Sequence, residues 1–551
     1  MRTTTLMLAM LALVITSALA QNDGPSSLRP LPKAKWTLSM AQHLLNRAGF
    51  GGTPQEIVRF HSLGLDGAVE ELLYPADKDT FTAFPAELAK RLGRDEIRKL
   101  SEEERKKIRR ARRRKDQAQF RALTKWWFEQ LISTSHPLKE KMTLFWHGHF
   151  TSGQKDVRNS FHLHMQNQLF RENALGSFRT LVHAVAKDPA MLEYLDCKQN
   201  VARSPNENFA RELMELFTMG IGNYTEADIK EAARAFTGWN FNREAKFFVN
   251  RRQHDRGTKV VFGKTGAFEG EDIIDFILDR EVTARYMAGR LFHFFCHDHP
   301  SAAQLNGLSA TLRTDGEYDL TPFLRQLFSS RAFYSEDAIG TQIKSPVQLT
   351  VMAIRQLDLD AESTAPLAAY MSSQMGQQLF EPPNVKGWDG GRSWISTSTL
   401  FARYNFAGMV TRDITLATVN AVEPEMMEGM DAEMEMAPKA DTPSKDARER
   451  GPQRGGRQSP LRGGTRLNFR FPAAALIRSH GLKTAEEIVD HFATHCLSVP
   501  LPEATRAELL THLNQDLLGD ASTFDADRWD ASRRVKGMLH LFFSTPEYQM
   551  N

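Results

Sequence analysis

SPNENFARELMELFTMGIGNYTEADIKEAARAFTGW, from Ser204 to Trp239, decides the fold class of this 551-residue chain. Phe209, Leu213, Leu216 and Phe217 recur at helical spacing, while Glu207, Asn208, Arg211, Glu212 and Glu215 share the opposite arc. Gly220 and Gly222 end that helix. Tyr224 then leads into a second one, opened by Thr225 with Asp228 in a capping arrangement and carrying Ile229, Ala232, Ala233 and Phe236 on its apolar stripe. Two helices joined by a short turn, with carboxylates, amides and arginines packed onto them, also mark the working surface of the molecule.

The same period runs through most of the chain, and sustained period-two alternation is scarce. The expectation is a mainly α protein: a large multi-helix globular domain with long ordered loops and a disordered excursion. Ser39–Phe50 predicts a helix stopped by Gly51-Gly52, and Thr53-Pro54 starts another that carries Ile57, Phe60 and Leu63. A charged insertion spans about 88–117. Within it SEEERKKIRRARRRK (Ser101–Lys115) opens with Ser101 and Glu104 as a capping box. Two readings of 90–115 stand: a solvated helix or hairpin projecting from the body, or a basic arm for a polyanion, where the lack of interleaved aromatic residues removes base stacking. Residues 421–467 shift to an acidic, Met-rich run (EPEMMEGMDAEMEM) and then to a Gly/Arg-rich one, which predicts a disordered linker. Helical patterning resumes at Ala473, with further starts near Thr484, Pro502 and Ser532.

Residues 1–20 carry Arg2, an apolar run from Leu6 to Ile15 and Ala18-Leu19-Ala20 before Gln21, the pattern of a secretory signal peptide. The expected localisation is therefore exported: periplasm, cell envelope or extracellular. A flexible 21–35 would precede a main body over 36–420. No later segment offers eighteen uncharged apolar residues, so no transmembrane segment is expected. Formal charge is +3, which gives composition no reason to favour nucleic acid. Cys197, Cys296 and Cys496 are odd in number and far apart, which points to buried free thiols over a disulfide frame.

Several groups carry candidate chemistry. Glu207–Arg211 and Arg211–Glu215 are i,i+4 ion pairs, sufficient in themselves to stabilise an exposed helix by about 0.2–0.5 kcal/mol each. Alternatively, Glu212 or Glu215 acts as general acid/base or metal ligand, with Arg211 orienting an anionic group and Asn206 and Asn208 contacting substrate. His147 and His149 (EKMTLFWHGHF, Glu140–Phe150) would converge in a turn at a helix end. With His162, His164 and the glutamates they suit a divalent metal, or else they are buried, hydrogen-bonded histidines. His254 and Asp255 form a possible acid/base pair or an ordinary surface turn. Trp239 supplies an aromatic at a helix mouth. FEPPNVKGWDGGRSW (Phe380–Trp394) is a rigid loop in which Lys386, Trp388 and Trp394 line a site or peg the loop to the core.

LLNRAGFG (Leu44–Gly51), EKMTLFWHGHF, MLEYLD (Met191–Asp196), PNENFARELMELFTMG, YTEADI, ARAFTGW and the Phe380–Trp394 block, in this order, resemble the bacterial exported family catalogued as domain of unknown function 1800. The resemblance covers about Trp36 to Tyr548, so it implies that 468–551 completes the same domain. It implies no established activity and no agreed catalytic residues. It does imply a partner, because members often occur beside an exported family similar to the sulfatase and alkaline-phosphatase superfamily. Two functions follow as expectations: an enzyme acting on extracellular or envelope glycan through the acidic/His site, or a non-catalytic envelope binding or scaffold protein. In the first, the site lies between the Asn206–Glu215 helix, the His147/His149 turn and the Pro382–Trp394 loop, with Trp388 as an apolar wall.

Overall fold

The computed structural model describes residues 24, 26–88, 98–415, 468–516 and 519–551. The expected signal peptide over 1–20, the linker over 421–467 and part of the charged insertion lie outside the described residues. The fold is mainly helical, as the hydrophobic period required, and its strands form three two-stranded antiparallel pairs among the described residues. None of the described helices is long and apolar enough to cross a membrane.

Helix starts follow the capping chemistry of the sequence. Thr53/Glu56, Ser101/Glu104, Thr225/Asp228 and Thr484/Glu487 each form a reciprocal capping box. The charged stretch is the first half of one helix, Glu102–Ser133, 32 residues long and thus about 48 Å at 1.5 Å per residue. Its basic half is exposed, and burial begins at Leu123, where the apolar stripe reaches the body. Cys197, Cys296 and Cys496 are buried and free.

Buried apolar side chains gather in two clusters. One holds Leu44, Trp146, Phe178, Phe236, Trp239, Phe292 and Phe328. The other holds Trp127, Val351, Phe380, Phe406, Phe492, Met538 and Tyr548. The Pro137–His149 helix lies between them: Leu138, Met142, Phe145 and Trp146 enter the first cluster and Leu144 the second. The helices after residue 468 are part of the second cluster and are sewn to earlier chain. The Tyr548 hydroxyl donates to Gln356 Oε1 at 2.8 Å, and Lys344 N–H donates to the Gln549 carbonyl at 2.8 Å. Gln42 and Asn46, from the Leu38–Ala48 helix, donate to Leu497 O and Ser498 Oγ at 3.1 and 3.2 Å. Thr415 pairs with Asn468, so the chain leaves and re-enters the body at one place.

A buried ion pair fixes the central helix. Arg171 donates to both Glu140 oxygens, at 2.5 and 3.0 Å, and Trp127 Nε1 donates to Glu140 Oε2 at 3.2 Å. The guanidinium also lies over Phe81 and Trp126. Arg171→Met should therefore destabilise the protein by about 3–5 kcal/mol, because it leaves the Glu140 charge buried and unpaired. Glu140→Leu in the same chain should recover most of that loss, since the pair is then replaced by apolar groups. Urea unfolding of the single and double variants checks both statements.

Candidate functional site

His147 and His149 both lie in the last turn of the Pro137–His149 helix, so the expected converging turn does not form. Two positions apart on a helix, they face different neighbours. His147 Nε2 accepts a hydrogen bond from Phe380 N–H at 3.0 Å, and its ring packs between Trp127, Phe380 and Trp388. His149 Nε2 donates to the Phe217 carbonyl at 2.9 Å. Burial holds both imidazoles down at about 3, with Arg290 adding to the effect at His149, so both are neutral near pH 7. His162 meets Glu193, and His164 packs on Phe84 and Trp126. Each of the four is thus placed separately, and no group of three or more His, Cys, Asp or Glu side chains suited to a metal gathers among the described residues. The histidines act as posts, His147 for the Phe380–Trp394 loop and His149 for the 213–218 turn, which stand as two flanks.

The first flank is the Phe380–Trp394 loop. Phe380 has φ 64°, in the left-handed region, where a bulky side chain costs on the order of 1–2 kcal/mol. Its N–H is held by His147 and its carbonyl by Gln154 N–H at 2.9 Å. The loop closes on the helix end through Thr151 Oγ1, which donates to Val385 O at 2.6 Å, and through Gly387, where any side chain would collide with the Gly148 carbonyl. Fixed in this way, the backbone presents Glu381. Burial pushes its carboxyl up to about 7; Asp156 adds to the rise, while the Lys155 ammonium and the Lys155 N–H oppose it.

Tyr194 stands at the centre, in contact with both apolar clusters. Its hydroxyl is pushed above the usual tyrosine range by burial and by the charges of Asp156, Glu212 and Glu381, against a hydrogen bond with Thr151. The charges of those three carboxylates therefore all reach one phenol. Behind it, Asp188 caps the Pro189–Tyr194 helix through Met191 N–H at 2.9 Å. Gln166 Nε2 links Asp188 to Ser152 Oγ, both at 2.9 Å, and burial raises the Asp188 carboxyl to about 7.

The second flank is the quoted segment. It begins as the α-helix Asn208–Glu212 and widens to a π-helix over Leu213–Thr218. π turns of this kind are frequent at functional sites. The exposed carbonyls at its end are taken by side chains: Leu216 O by the Tyr286 hydroxyl at 2.7 Å and Phe217 O by His149. Widening the turn also rotates Glu215 away from Arg211. The expected Glu207–Arg211 pair forms at 3.0 Å, but Arg211 then turns to Glu226 at 2.7 Å, and Glu215 accepts from the Tyr224 hydroxyl at 2.5 Å. Among the described residues, no hydrogen bond or ion pair ends on the Glu212 carboxylate. Burial raises its pKa, the Glu215 charge adds to this, and Arg211 opposes it.

Other expected residues are placed differently. Asn206 Oδ1 accepts from Asn208 N–H at 3.0 Å, and Asn208 Nδ2 donates to Leu195 O at 3.3 Å, so both anchor the helix start beside Tyr194. Trp239, expected at a helix mouth, is 0% exposed and packs on Phe236 and Phe247, because the following strand turns it inward. His254 and Asp255 do not pair. His254 Nδ1 meets Thr237 O at 2.8 Å, whereas Asp255 is clamped by Arg234 at 2.8 and 3.2 Å. Trp394 is buried. Trp388 is half-buried with Nε1 donating to Gly376 O at 3.1 Å, and Lys386 pairs with Asp389 at 2.7 Å.

Glu381, Tyr194, Asp156 and Asp188 were not singled out from the sequence. Glu381 and Tyr194 lie inside blocks that were, but only tertiary burial distinguishes them from other acidic and aromatic residues.

A pH test follows from Glu381. Its folded carboxyl holds a proton up to about 7, whereas in the unfolded chain it ionises near 4.5, so the native state binds more protons between these values. Stability therefore falls as pH rises through that window and levels off above it. Glu381→Gln removes this penalty. The melting temperature of the variant relative to wild type should rise from pH 4.5 to pH 7 and stay constant to pH 8.5, as thermal unfolding across pH will show.

A family model described as Protein of unknown function (DUF1800) matches residues 43–550. No curated protein and no solved structure matches the chain. The matched span contains both histidine posts, Tyr194, the π turn and Glu381, and on that match the chain belongs to the DUF1800 family of proteins of unknown function.

Proposed function

We propose that the protein is an exported enzyme that acts on extracellular or envelope glycan by acid–base chemistry between Glu381 and Glu212. The observation that carries this reading is Glu381 itself: a carboxyl raised to about 7 by burial, whose charge reaches the same Tyr194 phenol as that of the unpartnered Glu212. Environments that push one carboxyl toward neutrality give an acid that keeps its proton at working pH. In this reading Glu381 delivers a proton to the leaving oxygen, and Glu212 removes one from the attacking water. Tyr194 orients the sugar oxygen between them. Glycan is the substrate class because the leader pattern sends the chain to the envelope and because glycosidic cleavage uses two carboxyl groups in these roles.

The second reading is a non-catalytic envelope binding or scaffold protein working with a sulfatase-like partner. It draws on the arginine clamps, Arg234 on Asp255 and Glu231 and Arg179 on Asp275 and Asp279, which hold neighbouring elements together with no group left for chemistry.

Release of reducing ends from a panel of envelope and extracellular polysaccharides separates the two. The enzyme reading expects release by wild type that falls with rising pH above about 7 as Glu381 ionises. Glu381→Gln and Glu212→Gln should each lower it about 10²–10⁴-fold. Absence of release from every polymer would favour the scaffold, and release by both variants equal to that of wild type would overturn the assignment of Glu381 and Glu212.

A further inference from the structure

Phe262 and Gly263 form the two-residue turn of the hairpin made by Lys259–Val261 and Lys264–Gly266, in which Val261 pairs with Lys264. Both turn residues have positive φ, 50° and 77°. A primed turn of this kind selects Asn, Asp or Gly at its first position, and a bulky aromatic there is a conformational outlier. The surroundings hold it in place. Asp228 Oδ1 accepts from Phe262 N–H at 2.7 Å, and the Arg280 guanidinium lies over the ring at 4.6 Å. Arg280 Nε is itself buried without a hydrogen-bond partner among the described residues.

The hairpin faces the Gly222–Thr225 turn across an open groove of about 870 Å³, lined by Tyr224, Asp228, Glu231, Val260, Phe262 and Arg280. Val260 is 51% exposed there. The Tyr224 wall is tied to the π turn, since its hydroxyl donates to Glu215, whose charge is felt by Glu212. Tyr224 therefore joins the groove wall to the π turn that carries Glu215.

We infer that this groove is a subsite for an uncharged glycan chain running toward Glu212. The inference rests on the acid–base reading for its direction and deepens it by naming the substrate's charge. A pyranose offers an apolar C–H face to aromatic rings and a rim of hydroxyls to carboxylates and a guanidinium, which is the chemistry of this lining. Asp228 faces Arg280 across the lining and Glu231 is paired with Arg234 at 2.7 Å, so no excess of positive charge draws a uronate or sulfated polymer there. Strain retained at an aromatic residue where Asn would relax the turn accords with a ligand contact at the ring.

Phe262→Asn tests this, because Asn suits the turn while removing the ring. The probe is an array of uncharged glucans, mannans and xylans beside uronate polymers, read with fluorescently labelled full-length mature protein in a Glu381→Gln background to prevent turnover. The expected result is retention on at least one uncharged polymer and none on uronates, with Phe262→Asn binding at least tenfold more weakly and melting at the same temperature or higher. Retention on no uncharged polymer, preference for uronates, unchanged binding by Phe262→Asn, or a lowered melting temperature for it would each overturn the inference. Glycan retention without any hydrolysis by the Glu381 form would sink the acid–base reading and leave the groove standing. Hydrolysis that persists while binding is insensitive to Phe262 would do the reverse.

Discussion

The hydrogen bonds that His147 and His149 make from one helix end are the constraint on which the site depends. Both partners are backbone groups, which fixes the sense of each bond: Phe380 N–H can only donate and Phe217 C=O can only accept. The imidazoles must therefore be opposite neutral tautomers. Each is surrounded by aromatic rings that make protonation costly, so the posts are locked as well as placed. Because the helix lies between the two apolar clusters, the posts tie Phe217 of one and Phe380 of the other to it.

Two unfavourable conformations meet at these posts. Phe380 is left-handed and the 213–218 segment is π-helical. Neither is the local preference of its residues, and tertiary contacts compensate each. Phe380 buries its ring against Trp127 and His147, and the π turn has its carbonyls capped by His149 and Tyr286. The result is that Glu381, next to Phe380 of one cluster, and Glu212, next to Leu213 of the other, both act on Tyr194 and are both partly shielded from water. Shielding, more than neighbouring charge, is what raises Glu381, and the proposed acid role draws on a carboxyl that keeps its proton toward neutral pH.

The helical class was legible because period, caps and stops agree: Ser101, Thr225 and Thr484 each begin the helix that their spacing announces. The quoted segment also declared an apolar stripe and the Glu207–Arg211 pair. It did not declare the π turn, since i→i+5 bonding leaves no period of its own in six residues, and for that reason Glu215 was expected beside Arg211 when it bonds Tyr224. The histidine motif left metal ligation and buried, hydrogen-bonded rings as alternatives, and His147 and His149 take the second form; what it missed is that they face different partners across a packed core, which sequence separation does not show. Trp239 looked like a site aromatic because a tryptophan after Thr237-Gly238 has the same spelling whether the next strand turns it in or out. Glu381 was hidden for the opposite reason: one glutamate in a proline- and glycine-rich loop acquires its character only from burial.

The most direct test of the posts is nitrogen-15 NMR of imidazole-labelled protein, with His147→Gln and His149→Gln used to assign the resonances, recorded from pH 5 to pH 8. The structure requires His147 protonated at Nδ1 and bare at Nε2, His149 protonated at Nε2, and neither titrating over that range. Titration of either ring near 6.5, or the same tautomer at both, would contradict the account.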